Sequence, residues 1–112
     1  MSATDLKVYR KTEELLYKVY PRLVNYPKSE KFSLCERIKN AFFDLLSNIS
    51  LGNSVKSKRK TYLQIADGHL QLIKVLMKLS KQRKYVSVAF FKEVDLVLTE
   101  INKMLSAYIR SS

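Results

Sequence analysis

The residue types that most often carry catalysis are few and scattered in this chain. His69 is the one histidine and Cys35 the one cysteine, so neither has the second imidazole or thiolate that a zinc site requires. The acidic pair Glu13–Glu14 is expected to be solvated or paired with nearby lysines. The chain contains no glycine-rich phosphate-binding loop and no Glu-x-x-His pair of a di-iron bundle. We therefore expect no enzyme activity, no metal and no cofactor.

Structural roles are the simpler interpretation of Cys35 and His69, because both lie on apolar faces of predicted helices. One cysteine cannot form an intramolecular disulfide, and the first ten residues are polar and charged rather than secretory. No apolar run approaches the roughly 20 residues of a membrane span. These features predict a reduced, cytoplasmic protein.

Positive charge is the most informative property of the composition. The chain has 21 Lys and Arg against 10 Asp and Glu, a formal net charge of +11. Solubility requires only about 2 to 8, so an anionic partner is expected, nucleic acid first and a membrane surface second. The candidate nucleic-acid-binding residues lie near predicted helix ends and are Arg22, Lys28, Lys31, Lys56, Lys58, Arg59, Lys60, Lys78, Lys81, Arg83 and Lys84.

Tyrosines near these charges could stack on unpaired bases, although each could equally cover a helix end. They are Tyr17, Tyr26, Tyr62 and Tyr85. The chain contains no RNA-recognition signature, zinc finger or clear helix-turn-helix motif, so sequence-specific base reading is not expected.

The elements that must position these residues are predicted to be helices. Hydrophobic residues make up 46% of the chain, and only two glycines and two prolines are present, which is too few for the many turns of a β-protein. We predict a single all-α domain over residues 1–112. It should be an up-down antiparallel four-helix bundle with helices over about 5–25, 33–51, 60–83 and 87–110.

Local signals predict where these helices begin and end. Ser2 or Thr4 should cap the first helix, and Pro21 should kink it. Ser33 with a glutamate three residues later predicts a capping box, Gly52-Asn53 predicts a helix stop, and Ser87 should cap the fourth helix.

Helical spacing predicts one inner stripe on each helix. The first stripe is Leu6, Tyr9, Leu16, Val19 and Leu23; the second is Leu34, Ile38, Ala41, Leu45 and Ile49; the third is Tyr62, Ile65, Ala66, His69, Leu72, Ile73, Leu76 and Leu79; the fourth is Phe91, Val94, Leu98, Ile101, Leu105 and Tyr108.

A further apolar stripe recurs every seven residues on the third and fourth helices. Its members, interpreted as a homo-oligomer interface, are Leu63, Leu70, Met77, Phe90, Val97 and Met104. A bundle helix normally exposes its other face, so a second stripe suggests a second copy of the protein. The alternative is a wide core face within one chain.

The stretch Tyr20-Pro21-Arg22-Leu23-Val24-Asn25-Tyr26-Pro27-Lys28-Ser29-Glu30-Lys31-Phe32-Ser33-Leu34-Cys35-Glu36-Arg37-Ile38 resembles a conserved stretch of the accessory variability determinants of diversity-generating retroelements. The resemblance runs from about Val8 to Arg110 and includes Lys56–Lys60 and the run Leu72–Leu79. Proteins encoded in intervening sequences of ribosomal RNA genes are similar in fold, but the Phe-Ser-Leu-x-Glu-Arg-Ile form favours the retroelement branch.

This resemblance implies a basic homopentamer that binds the retroelement reverse transcriptase and its template RNA, free or in an RNA/DNA hybrid. Such a protein supports mutagenic retrohoming without catalysing any step. The family's basic positions correspond best to Arg22, Lys28, Lys31, Arg37 and Lys78, and Arg37 could instead pair with an acidic neighbour. The alternatives are an intervening-sequence protein of unknown role and a purely structural basic oligomer.

Overall fold

Four α-helices account for most of the chain in the computed structural model, which describes residues 3–112, with side chains from Lys7 onward. They are α1 (Ala3–Val19), α2 (Leu34–Ser54), α3 (Arg59–Gln82) and α4 (Val88–Arg110). Short 3₁₀ helices cover Tyr20–Asn25, Lys28–Glu30 and Lys56–Lys58. The predicted all-α fold is confirmed. The proposed cap at Ser2 or Thr4 and the Leu6 side chain lie outside the described parts.

Two ion pairs show that α1 and α4 run antiparallel. Lys11 of α1 pairs with Glu100 of α4, and two turns later along α1 Lys18 pairs with Glu93. The Gln71 amide of α3 donates to Asn102 of α4 at 3.1 Å. No helix in the described part of the chain is long and apolar enough to cross a membrane.

Pro21 ends the α-helical geometry instead of kinking one continuous helix. α1 stops at Val19, and Pro21 falls in the first turn of the 3₁₀ helix Tyr20–Asn25. Proline is tolerated in a first turn because its missing N–H has no partner there. The apolar pattern does continue, since Leu23 is buried, whereas Val24 is exposed.

The local signals for the other helix ends have mixed outcomes. Ser87 caps α4 as predicted, accepting from the Phe90 N–H at 3.0 Å. The capping box at Ser33 is wrong, because its hydroxyl donates to Glu30 Oε1 at 2.7 Å and caps nothing in α2. Gly52 lies inside the last turn of α2, which ends two residues later.

Gly52 is present because α3 comes very close at this point. A Cβ built there would lie 2.8 Å from Leu63 Cδ2 and 3.3 Å from the Arg59 carbonyl oxygen. The glycine therefore admits the first turns of α3 against the end of α2.

The core confirms the predicted inner faces of α2 and α4 and corrects those of α1 and α3. In α1 the buried positions from Val8 onward are Val8, Thr12, Leu15, Leu16 and Val19, while Tyr9 is only partly buried. In α3 they are Leu63, Ala66, Leu70, Ile73, Met77 and Ser80.

The proposed oligomer interface is wrong for most of its members. Leu63, Leu70 and Met77 are 0% exposed and Phe90 4%, so these side chains fill the core of the chain itself. Val97 and Met104 are partly buried against the same core. Two apolar stripes that lie one residue apart on a helix have the same periodicity, so spacing alone does not show which one is buried. On α3 the stripe of Leu63, Leu70 and Met77 faces the core because α2 and α4 both pack against this helix.

The stripe predicted to face inward on α3 is divided between the core and the surface, since Ala66 and Ile73 are 0% exposed and its other members are not fully buried. Ile65 is 44% exposed and Leu79 39%, while Leu72, Leu76 and His69 are partly buried. An apolar stripe beyond the core therefore exists on α3, but with other residues than the sequence indicated.

Candidate nucleic-acid interface

The first basic end of the bundle forms where the loop before α2 meets the loop before α4. The rings of Tyr26 and Tyr85 lie 5.2 Å apart, and the Tyr85 hydroxyl donates to Glu30 Oε2 at 2.9 Å. Hydrogen bonds from Ser33 and then Tyr85 lower the pKa of the Glu30 carboxyl below its ordinary value of 4.5. This network joins two loops that are far apart in the sequence.

Cations surround this network, and one of them, Arg83, has Tyr85 and Glu30 beside it. Lys28, Lys31, Lys78, Arg83 and Lys84 are exposed. Two further cations of this end lie over aromatic rings, which position them without removing their charge. The Arg22 guanidinium lies 4.1 Å from the Phe90 ring centroid and Lys81 Nζ lies 4.4 Å from that of Phe91.

Lys84 occupies the left-handed backbone region, with φ of 63°. The Tyr85 N–H bonds the Ser80 carbonyl at 2.9 Å, which is the Schellman closure of a helix C-terminus. Glycine is the usual residue at such a position because a Cβ is unfavourable there. The lysine is thus held at this corner despite a conformational cost.

The second basic end contains Lys56, Lys58 and Lys60, all exposed. Arg59 differs from these lysines and is corrected to a structural role. Its Nε and Nη2 donate to the carbonyl oxygens of Gly52 and Asn53, both at 2.9 Å. It thereby caps the C-terminus of α2, where a cation suits the helix dipole.

Arg37, on the exposed side of α2, forms no ion pair among the described side chains. The acidic partner that it could have had is therefore not found in this part of the chain.

Most of the tyrosines that were predicted to stack on bases are buried or partly buried. Tyr26 is 6% exposed, Tyr85 packs against the core, and Tyr62 is partly buried. Tyr17 is 63% exposed, and its hydroxyl donates to Glu13 at 2.8 Å. The sequence analysis missed Tyr20, which is 44% exposed at the start of the first 3₁₀ helix.

A cleft of about 320 Å³ lies beside Tyr20, between the first 3₁₀ helix, the following loop and the first turns of α2. Its walls include Tyr20, Leu23 and Val24, and its cations are Lys28, Lys31 and Lys39. Lys39 Nζ lies 5.1 Å from the Tyr20 ring centroid. Lys39 had no signal in the sequence, because only the packing of α2 brings it to this end.

Cys35 lines the floor of the cleft and contributes no negative charge. The thiol is buried, its Sγ lies 3.7 Å from the Leu23 carbonyl oxygen, and burial raises its pKa. It therefore stays protonated near neutral pH, which agrees with the structural role predicted for it.

Among the side chains that the structure describes, no three His, Cys, Asp or Glu residues are grouped as metal ligands. The chemistry on offer at both ends is therefore that of lysine and arginine. Such groups bind phosphate and other anions.

Comparison with known proteins agrees with this architecture. A solved structure of a protein of unknown function from the S23 ribosomal protein family of Bacteroides thetaiotaomicron superposes with a TM-score of 0.82 at 21% sequence identity. The match covers 96% of this chain and 98% of that one, and at this identity it shows a shared fold. No curated protein sequence matches the chain. The bAvd-like family matches residues 6–112, nearly the whole chain, and the chain belongs to that family.

Proposed function

We propose that this protein is a non-catalytic accessory protein of a diversity-generating retroelement. It binds the reverse transcriptase and the template RNA through its basic surfaces and so supports mutagenic retrohoming in the cytoplasm. Membership of the bAvd-like family supports the retroelement context. The single observation that carries the binding role is the presence, at both ends of the bundle, of exposed cations that form no ion pair with any described side chain.

The described side chains form two ion pairs, Lys11–Glu100 and Lys18–Glu93, and both join α1 to α4. None of the candidate binding residues takes part in either pair. A chain of net charge +11 repels itself when compact, and a polyanion relieves that repulsion. Neutralising phosphates also releases their counterions, which favours binding.

We propose in addition that the protein acts as a homo-oligomer, a pentamer as the resemblance implies. The apolar stripe on α3 that includes Ile65, Leu72 and Leu79 supports this. Ile65 and Leu79 are exposed after the core of one chain is complete, and Leu72 is partly buried against that core.

Two charge-removed variants test which end binds which partner. One replaces Lys56, Lys58 and Lys60 by Gln and keeps Arg59, because Arg59 caps α2. The other replaces Lys78, Arg83 and Lys84 by Gln and keeps Lys81, which covers Phe91. Each variant removes three charges and keeps the one cation of that end whose contact with the fold has just been given.

RNA binding is measured by fluorescence anisotropy over a range of salt concentrations, and polymerase binding by pull-down with the cognate reverse transcriptase. The logarithm of the RNA affinity should fall linearly with the logarithm of salt concentration, with a slope of about −0.7 per phosphate contacted on single strands. The variant that removes the three charges of an RNA-binding end should make this negative slope shallower by about 2. If neither variant loses RNA or polymerase binding, the charges serve solubility and the proposal fails.

The intervening-sequence role remains a second candidate, because the proteins encoded in ribosomal RNA intervening sequences resemble this family in fold. A reverse transcriptase reading frame and a pair of near-identical repeats beside the gene would support the retroelement role. Their absence would favour the alternative.

A further inference from the structure

We propose that the cleft beside Tyr20 holds one unpaired nucleotide of a nucleic-acid strand, with the phosphate at Lys28, Lys31 and Lys39 and the base against Tyr20. This inference rests on the proposed nucleic-acid binding and adds a preference for single strands over duplexes. It concerns a site that neither the family nor the structural neighbour assigns.

The residues that line the cleft offer binding groups for both the phosphate and the base of a nucleotide. Three lysines supply ammonium groups, and no acidic residue is among the lining side chains. Glu30, the nearby carboxylate in the sequence, is already bonded by Ser33 and Tyr85. A phosphate entering the cleft therefore meets cations without a competing anion in its walls.

Other side chains that line the cleft are aromatic or aliphatic. Tyr20 is 44% exposed and Val24 84%, so both present apolar surface to solvent at the cleft. Base–aromatic stacking strengthens single-strand binding by roughly 5- to 150-fold per base, whatever the base. Lys39 Nζ lies over a face of the same ring, 5.1 Å from its centroid, so a base that stacks on this face displaces the ammonium toward the phosphate.

The size of the cleft argues for one nucleotide. Its volume of about 320 Å³ is at the lower end of the roughly 300 to 1,000 Å³ that small-ligand sites occupy. A paired base is stacked inside its helix and cannot reach Tyr20 without being extruded at a cost. The cleft therefore discriminates against duplexes, whereas charge alone would bind both forms.

The test compares affinities for a labelled single strand and for its duplex, measured by anisotropy at one salt concentration. Tyr20→Ala should weaken single-strand binding about ten-fold and leave duplex binding unchanged. Tyr20→Phe keeps the ring and should bind like the wild type. Phe43→Ala, which removes a similarly exposed ring outside the cleft, is the matched control and should change neither affinity.

The lysines are tested by the double variant Lys28→Gln, Lys39→Gln against a second variant, Lys74→Gln, Lys103→Gln, which removes two charges elsewhere. Only the first should reduce the preference for single strands. A strand carrying 5-iodouracil should also photo-crosslink to the peptide that contains Tyr20 in the unmodified protein. This readout does not depend on the folding of any variant.

The outcomes separate this inference from the proposed function. A wild-type protein that binds neither strand form contradicts both. Binding of both forms with a preference that Tyr20→Ala leaves unchanged, together with a crosslink elsewhere, overturns the cleft alone. Equal weakening of single-strand and duplex binding by Tyr20→Ala also overturns it, because the ring would then act only through the fold.

Discussion

Lys84 has a backbone conformation that lowers the stability of the fold. Its left-handed backbone, with φ of 63°, costs an L-residue with a Cβ about 1 to 2 kcal/mol relative to glycine. Strain of this kind is often found at functional positions. The basic first end is where this strained lysine lies.

Lys84→Gly should therefore raise the free energy of unfolding by about 1 kcal/mol, measured by urea denaturation, while RNA affinity falls. Lys84→Gln removes the charge and keeps the strain, so it should lower the affinity without raising stability. A glycine variant that is more stable and binds RNA as well as the wild type would show that the lysine has no part in binding.

Glu30 links the two loops of the first end through a carboxylate. The pKa of this carboxyl is lower in the folded chain than its ordinary value of 4.5, because Ser33 and then Tyr85 donate hydrogen bonds to the charged form. A depressed folded pKa means that the stabilisation is present above about pH 4.5 and is lost as pH falls through the folded value.

Glu30→Gln keeps an acceptor but cannot titrate. The melting temperature of the wild type should therefore fall more steeply than that of Glu30→Gln as the pH is lowered from 5 toward 3, which thermal scans monitored by circular dichroism would detect. Parallel curves would mean that the network does not depend on the carboxylate charge.

At the scale of the helices, the contact between α2 and α3 depends on a missing side chain. Gly68, on the exposed side of α3, provides a matched comparison with Gly52, since a Cβ there would meet nothing within 4 Å. Alanine favours a helix interior over glycine by about 1 kcal/mol. Alanine therefore improves helix propensity at both positions, and the two differ in the room that is available for its Cβ.

Gly68→Ala should raise the free energy of unfolding by about 1 kcal/mol. Gly52→Ala should lower it, because a Cβ 2.8 Å from Leu63 Cδ2 and 3.3 Å from a backbone oxygen adds an overpacking cost of about 1 to 3 kcal/mol. Denaturant titrations of both variants measure the difference. Equal stabilisation at both sites would show that α3 can move away from α2 freely.

At the scale of the whole molecule, the two apolar stripes of α3 have different tasks. Leu70 is 0% exposed, and a carboxylate there would be buried without a partner. Leu72 is only partly buried and belongs to the stripe that we propose as the oligomer interface. Both leucines lie in the interior of α3, so the change from leucine to glutamate alters helix propensity equally at the two positions.

Leu72→Glu should therefore dissociate the oligomer and keep its helical circular dichroism, whereas Leu70→Glu should lose both. Light scattering should give about five times the 13.1 kDa chain mass for the wild type and one chain mass for Leu72→Glu. A wild-type monomer at micromolar concentration would contradict the proposed assembly.

The sequence by itself determined the helices and the ends at which charge collects. The scarcity of glycine and proline excluded a β-fold. Ser87 marked a real boundary because capping acts within a few residues, whereas Pro21 ended the first helix that it was predicted to kink. The inner faces of α2 and α4 were also correct, since the stripe predicted on each is buried along its whole length.

Only the tertiary structure decided which face of α1 and α3 is inward. Adjacent stripes such as Leu63–Leu70 and Ile65–Leu72 have equally helical spacing, and the choice depends on the helices that pack on either side. For the same reason Tyr26 became buried, Arg59 became a cap for α2, and Lys39 met Tyr20. Those contacts join side chains through the folded backbone, and local spacing carries no information about partners so far along the chain.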